Sequence, residues 1–154
     1  MGYIMHLREK IGHEELLTAG TGVFPVRGGK VLLQRRADNG LWTMHGGAIE
    51  IGEVPEDAAK REFFEETGLR ANALELIGVF SGPDTRYTYP NGDKVFIVGI
   101  FYLCTDFSGE VNIDPNEVRE LKWFPLGSLP AVEEISPPDR RVFAAFSEFM
   151  KNRI

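Results

Sequence analysis

The segment GAIEIGEVPEDAAKREFFEETGL, residues 47–69, carries the strongest structural signal in this sequence. Pro55 suits the first turn of a helix, because its ring fixes φ and it has no backbone N–H to leave unpaired. Glu56 and Asp57 follow it, and acidic side chains favour the positive N-terminal end of a helix. Gly68 suits the position just beyond the last turn. The segment therefore predicts a helix over residues 55–67.

Three glutamates of this helix share one arc of its surface. Glu62, Glu65 and Glu66 stand at positions i, i+3 and i+4, which are neighbours on a helix. An acidic face of this kind is most often simply solvated, since each like-charge pair costs only about 0.2–0.5 kcal/mol in water. The alternative is a metal site, because hard divalent cations bind through carboxylate oxygens.

Three neighbouring features favour the metal site over the solvated face. Ala58 and Ala59 lie one turn earlier on the arc, and their small side chains leave space above the carboxylates. Arg61 stands four residues before Glu65, where it can pair with that glutamate and orient it. A glycine-containing loop from Gly46 to Gly52 precedes the helix, and its backbone can approach a metal or a phosphate closely.

The charge of the chain is concentrated around this helix. The 154 residues include 17 basic and 23 acidic side chains, a formal charge of −6. Residues 50–66 alone contain seven acidic and two basic side chains, a net charge of −5. This balance argues against non-specific binding to nucleic acid or to an anionic membrane.

Length and composition indicate one globular domain over residues 1–154, with residues 1–18 as an N-terminal extension. The chain is 43% hydrophobic and 26% charged, and no low-complexity tract divides it. Neither a signal peptide nor a stretch long enough to span a bilayer is evident, so we expect a cytoplasmic protein. Cys104, inside an apolar run, is expected in the core.

Strands are predicted on both sides of the helix, and a second helix follows them. The Arg27-Gly28-Gly29 sequence predicts a hairpin turn between two of these strands. The amphipathic stripe of Arg140–Lys151 predicts the final helix. Together these elements indicate a mixed α/β sandwich. The predicted strands are 21–26, 30–34, 41–44, 74–80, 95–104 and 120–124.

The spacing of residues within the 47–69 segment resembles the complete signature of the Nudix hydrolases. Gly47 is followed after five residues by Glu53, and after seven more by Arg61-Glu62, Glu65-Glu66 and Gly68-Leu69. The resemblance implies an α/β/α sandwich with a mixed central sheet. It also implies a MutT-like pyrophosphohydrolase that splits a diphosphate linkage in a nucleoside diphosphate or triphosphate derivative, with Mg²⁺ or Mn²⁺ as cofactor.

Carried over residue by residue, the resemblance implies specific roles. Glu62, Glu65 and Glu66 become metal ligands, Arg61 orients them, and the Gly47 carbonyl reaches the metal. The cation would polarise a phosphoryl oxygen and activate the attacking water. A glutamate would take the proton, and the candidates are Glu53, Glu66, Glu117 and Glu120, with Glu117 placed ahead of Glu120.

Substrate recognition is expected outside this segment, in side chains that could stack on a base or grip a phosphate. The segment 81–94 is predicted to be a recognition loop, with a plain β-hairpin as an equally weighted alternative. His45 replaces the proline common in relatives and is expected to be a loop residue that could touch a phosphate when protonated. The candidate substrate contacts are Arg36, His45, Phe80, Arg86, Tyr87 and Tyr89.

Two other functions remain open at this point. A nucleotide sensor would keep the fold but lose the glutamates, all of which are present here. An isoprenyl diphosphate isomerase would need a cysteine near the signature segment, and none is found there. The expected partner is a nucleotide-like small molecule, and self-association as a homodimer is left open.

Overall fold

The computed structural model describes residues 2–153. Short 3₁₀ turns at Pro83–Thr85, Val132–Glu134 and Pro137–Asp139 lie between the regular elements. Those elements are α1 Tyr3–Ile11, β1 Leu16–Arg27, β2 Lys30–Arg36, β3 Trp42–Thr43, β4 His45–Ala48, α2 Pro55–Thr67, β5 Arg70–Phe80, β6 Arg86–Thr88, β7 Lys94–Ser108, β8 Val118–Pro125 and α3 Arg140–Lys151.

Strand β1 organises the sheet. It pairs in parallel with β7 along most of its length and antiparallel with β4 and β2. The β1–β2 connection is the predicted hairpin, and both turn residues, Gly28 and Gly29, have positive φ, as a tight two-residue turn requires. Beyond β7 lies β5, and beyond β2 lie β3 and β8. The mixed sheet predicted from the sequence is confirmed.

Helix α2 packs on one face of this sheet. Ala58, Ala59, Phe63 and Thr67 are its buried residues, and Gly68 ends it in the left-handed conformation at φ 81°. Phe63 packs among residues of β1, β2 and β7, and its burial contributes about 1.5–3 kcal/mol. The predicted bounds of the helix are confirmed, but the interpretation of the alanines is wrong. Both are fully buried against the sheet and leave no space for a ligand.

Helix α3 packs on the opposite face. Its residues Val142, Phe143 and Phe146 are buried, and Phe146 stacks on Phe24 with the ring centroids 4.2 Å apart. Consecutive strand residues point to opposite faces of a sheet. Val23 therefore packs with Phe63 in the buried cluster beneath α2 (the α2 cluster), and Phe24 packs with Leu33 and Phe146 in the cluster beneath α3 (the α3 cluster). The α/β/α sandwich and its final helix are therefore confirmed.

Several local predictions differ from the structure. Helix α1 lies within residues 1–18 and was not predicted, and β1 already begins at Leu16. Gly46 and Gly47 belong to strand β4 rather than to a loop, because they pair with Gly22 and Thr21 of β1. A Cβ at Gly46 would overlap the carbonyl oxygen of Thr21, so only glycine allows this close pairing.

Two further observations concern the remaining segments. Residues 86–88 form β6, which pairs antiparallel with β7, so the segment 81–94 contains a hairpin. None of the helices formed by residues 2–153 has the length and hydropathy needed to cross a bilayer. Cys104 is buried in the core, as predicted.

Candidate active site

The acidic arc of α2 lies against the glycines of β4. The Gly46 backbone N–H donates a hydrogen bond of 2.7 Å to Oε1 of Glu66. A Cβ at Gly47 would come within 2.6 Å of the Glu62 carboxyl carbon, so glycine is needed for this approach. Glu65 is the outermost member, with 53% of its side chain exposed. The structure thus places Gly47 beside the glutamates, although the strand that carries it was not predicted.

Arg61 connects the carboxylates of the site. Its Nε and Nη2 donate to both oxygens of Glu53 over 2.7 and 2.9 Å. Its Nη1 donates to Glu62 over 2.8 Å and to Glu65 over 3.4 Å. The pairing with Glu65 expected from helix spacing is therefore the longest of these contacts. Arg61 orients three carboxylates, and its main partner is Glu53 on the preceding loop.

These contacts have opposite effects on the protonation of neighbouring glutamates. The hydrogen bonds from Arg61 lower the pKa of Glu53 to about 2, so this carboxylate is a weak base. Burial, reinforced by the charge of Glu62, raises the pKa of Glu66 to about 8. Burial also raises the pKa of Glu62, and the charges of Glu65 and Glu117 add to this effect. Several negative charges are thus close together at Glu62, although Arg61 donates a hydrogen bond to it.

The donors available in this site suit a hard divalent cation. Carboxylates and backbone carbonyls are the oxygen ligands that Mg²⁺ prefers, and the Gly47 backbone comes close to Glu62 only because it lacks a Cβ. A cation would also stabilise the ionised forms of Glu62 and Glu66, whose pKa values are raised by burial and by the charges of neighbouring glutamates. Within residues 2–153, no three His, Cys, Asp or Glu side chains already converge on one metal position. The chemistry of these oxygen donors fits a divalent cation, and two of the carboxylates, Glu62 and Glu65, are hydrogen-bonded to Arg61.

A cavity of about 390 Å³ opens next to the glutamates. Its lining includes Gly46, Gly47 and Glu66, together with Tyr87 of β6. Its volume lies within the range of small-molecule sites. Apolar and aromatic walls with a few polar groups are typical of a ligand pocket. The walls include Met44, Phe101, Tyr87 and Tyr89, and the polar groups include Arg8, Thr21, Arg36 and Asp139.

Three of the predicted substrate contacts line this cavity. Arg36, Tyr87 and Tyr89 meet there, and the two tyrosine rings form an edge-on pair with centroids 4.9 Å apart. Asn39 Nδ2 donates to the Tyr87 hydroxyl over 2.7 Å and fixes its position. These tyrosines lie on the hairpin formed by β6 and β7, so segment 81–94 contains the predicted hairpin and also contributes to the cavity wall.

Phe80 and Arg86 do not line the cavity. Phe80 packs on Phe101 with the ring centroids 5.8 Å apart, and Arg141 covers its face. Arg86 forms an ion pair with Glu15 over 3.0 Å. Both side chains are committed to contacts within the fold, which disagrees with their expected place beside a substrate.

His45 is a core residue, not a loop residue. It is 0% exposed, and its Nε2 contacts the Leu32 carbonyl over 2.8 Å. Burial lowers its pKa to about 4, so the ring is neutral at physiological pH. The expectation that a protonated His45 could touch a phosphate is wrong, because the ring has no access to the cavity and carries no charge.

Several polar residues of the site were missed by the sequence analysis. Thr43 Oγ1 donates to Asp139 over 2.7 Å at the cavity wall, and burial raises the pKa of Asp139 to about 6. Arg8 Nε and Thr21 Oγ1 are buried without a hydrogen-bond partner among the described residues. Gln34 also lines the cavity, and it is the uncharged polar residue that directly follows the apolar run Val31–Leu33 of β2, which was a signal available in the sequence.

Comparison with known proteins identifies the family. The NUDIX domain model matches residues 16–146. A MutT-like protein of Streptomyces ambofaciens is 48% identical over 102 residues, 66% of this chain and 59% of that protein. An ADP-ribose pyrophosphatase of Methanocaldococcus jannaschii is 35% identical over 104 residues, 66% of this chain and 57% of that protein. The chain therefore spans less than two thirds of the length of these curated relatives.

The fold agrees with solved structures as well. The crystal structure of a MutT NUDIX hydrolase from Burkholderia pseudomallei superposes with a TM-score of 0.70 at 30% identity. The superposition covers 84% of this chain and 97% of the other. Together with the match over residues 16–146, this agreement places the chain in the Nudix hydrolase family.

Proposed function

We propose that this protein hydrolyses a diphosphate linkage in a nucleotide-like small molecule, with Mg²⁺ as cofactor and Mn²⁺ as a substitute. One observation supports the proposal above all others. Glu66 of α2 and the glycines of β4 meet at the edge of a cavity of about 390 Å³ with aromatic walls. A diphosphate could lie at the carboxylates while the rest of the substrate occupies the cavity.

The proposed roles follow from the positions of the side chains. Glu62, Glu65, Glu66 and the Gly47 carbonyl would hold the cation, and Arg61 would keep Glu62 and Glu65 oriented through its hydrogen bonds. When bound, the cation supplies the positive charge that offsets the diphosphate and lowers the pKa of water. The cavity would bind and orient the organic part of the substrate.

Glu117 is our preferred general base. Glu53 is held by both hydrogen bonds from Arg61, which leave it a weak base. Glu120 pairs with Arg35 over 3.3 Å. The carboxylate of Glu117 takes part in no ion pair or hydrogen bond among residues 2–153 and is close enough to Glu62 to affect its pKa. Glu66 is the remaining alternative, although its place among the proposed metal ligands makes it less suitable.

The isomerase alternative is not supported by the structure. Cys104 is the single cysteine of the chain, lies in the core and contacts the Asp106 carbonyl. Burial raises the pKa of its thiol, which disfavours the reactive thiolate. The relative from Methanocaldococcus jannaschii is named an ADP-ribose pyrophosphatase. Hydrolysis of a related diphosphate by this chain agrees with the geometry of the site.

A substrate panel tests the proposed reaction. We expect purified protein with Mg²⁺ to cleave at least one diphosphate compound and to leave simple phosphate monoesters intact, because the site is built for two linked phosphates. The panel contains nucleoside triphosphates, sugar nucleotides, ADP-ribose, dinucleoside polyphosphates and CDP-alcohols. Products are separated by ion-exchange chromatography. Absence of cleavage across the diphosphate compounds would contradict the proposal.

The cavity residues should determine the order of preference within that panel. We expect Tyr87→Ala to lower kcat/KM for the best substrate roughly tenfold and to change the ranking, because a base–aromatic contact contributes about 1–3 kcal/mol. Arg36→Ala should act mainly on substrates with a charged group near the cavity.

Arg86→Ala is the matched control, since Arg86 is on the same strand as Tyr87 but pairs with Glu15 outside the cavity. It should keep the wild-type ranking. If Tyr87→Ala and Arg36→Ala also keep that ranking, the cavity does not select the substrate.

A further inference from the structure

Glu66 is held by two donors that converge on one of its oxygens. The Gly46 N–H donates to Oε1 over 2.7 Å, and the Gln34 side-chain amide donates to the same oxygen over 2.9 Å. Within residues 2–153, Oε2 accepts no hydrogen bond. The carboxylate is therefore fixed through one oxygen, while the other stays available to an incoming ligand.

The Gln34 amide is itself held by His45. Its Nε2 lies 3.0 Å from His45 Nδ1 as well as 2.9 Å from Glu66. On its other side, the His45 ring contacts the Leu32 carbonyl through Nε2. A carbonyl oxygen can only accept, so Nε2 carries the hydrogen and Nδ1 is the acceptor. The two hydrogens of the Gln34 amide are thus both used, one on His45 and one on Glu66.

The surroundings allow this arrangement little freedom. Gln34 is 4% exposed and His45 is 0% exposed, and the His45 ring packs near Phe63 of α2. A buried amide that loses a partner costs about 1–3 kcal/mol, so the alternative side-chain orientations of Gln34 are disfavoured. Strand β2, strand β4 and helix α2 are joined at this point by polar contacts inside an apolar layer.

We propose that Gln34 and His45 are positioning residues that hold Glu66 ready to bind the divalent cation. The inference rests on the proposed function, in which Glu66 is a metal ligand. His45 fixes the Gln34 amide, the amide fixes Oε1 of Glu66, and Oε2 is thereby directed to the cation. Gln34 borders the cavity, but both hydrogens of its amide are used by His45 and Glu66, and His45 does not reach the cavity. Their role is to reduce the reorganisation that metal binding requires.

Metal affinity measured without substrate tests this inference. Free Mn²⁺ is counted by electron paramagnetic resonance during titration of the protein. Gln34→Met keeps the side-chain volume but removes the amide, and we expect it to weaken Mn²⁺ binding by about 10–100-fold. His45→Phe should weaken it in the same direction. Since both act through one chain of contacts, the double variant should lose no more than the Gln34→Met variant alone.

Leu33→Met is the matched control. It introduces the same residue at the preceding position of β2, whose side chain packs in the α3 cluster and not beside Glu66. This variant should bind Mn²⁺ like the wild type. Thermal unfolding checks that each variant is folded. If Gln34→Met does not fold, Gln34→Asn takes its place with the same expectation, because the shorter amide cannot reach both partners.

The outcomes separate this inference from the proposed function. Wild-type Mn²⁺ affinity in a folded Gln34 variant, together with weakened binding in Glu66→Gln, would overturn the positioning role alone. If the wild-type protein binds no Mn²⁺, the proposed function fails. Weaker binding in Gln34→Met, a non-additive double variant and an unchanged Leu33→Met would support the inference. A steady-state test should then show a lower kcat at subsaturating metal, restored by excess Mn²⁺.

Discussion

Chelation of divalent cations is expected to abolish hydrolysis completely, and added Mg²⁺ or Mn²⁺ is expected to restore it. The reason is electrostatic. Residues 50–66 carry a net charge of −5, and the charge of Glu62 adds to the effect of burial in raising the pKa of Glu66. A diphosphate adds further negative charge and cannot approach these carboxylates without a cation between them. The measurement is turnover of the best panel substrate in excess EDTA, followed by titration with Mg²⁺.

Two controls make the chelation result specific. Circular dichroism in EDTA should show an unchanged fold, because the buried clusters on both faces of the sheet contain no proposed metal ligand. A nucleoside without phosphate should bind the cavity with the same affinity in EDTA and in Mg²⁺. Full turnover in excess chelator would contradict the proposed mechanism.

The sequence predicted helix α2 to the residue because its boundary signals are local. Pro55, the acidic first turn and Gly68 act on the backbone within a few positions, and each was visible in the sequence. Helix α3 was predicted for a similar reason, since its apolar stripe belongs to a single segment. The hairpin at Gly28 and Gly29 is likewise specified by adjacent residues.

Predictions that required knowledge of distant partners were less successful. Ala58 and Ala59 indicated space for a ligand, but small residues also allow a helix to approach a sheet closely, and the structure shows the second case. His45 was predicted to be a loop residue because nothing nearby in the sequence reveals that it pairs with Val23 of β1 in the buried part of the sheet. Its partners Leu32 and Gln34 lie 13 and 11 positions earlier in the chain.

Only part of the site was predicted, because some of its contacts join segments that are distant in the sequence. Helical spacing brought the three glutamates together, and it also suggested that Arg61 would pair with Glu65. The stronger pairing, with Glu53, depends on how the preceding loop folds back over the helix. The cavity residues Arg8 and Asp139 come from opposite ends of the chain, and no spacing rule could join them.

Loss of a single glutamate of the α2 arc is expected to reduce turnover by about a hundredfold or more, as in Glu65→Gln and Glu66→Gln. Each change removes one negative oxygen donor from the proposed cation site, and the amide that replaces it is a weaker ligand. The fold should remain intact. Glu65 is largely exposed and the charge of Glu66 is disfavoured by its burial, so neither negative charge stabilises the metal-free protein. The amide oxygen introduced by Glu66→Gln can still accept the hydrogen bonds from Gly46 and Gln34.

Asp57→Asn provides the matched control for these variants. Asp57 lies in the first turn of the same helix and is exposed, so the substitution removes one negative charge from the acidic segment without entering the site. Turnover should stay near the wild-type value, and stability should fall by at most about 1 kcal/mol through the helix dipole. If Glu65→Gln and Glu66→Gln also turn over at the wild-type rate, these carboxylates are not metal ligands. A loss of turnover in all three variants would instead indicate that the total negative charge of the acidic segment matters, because each variant lowers that charge by one.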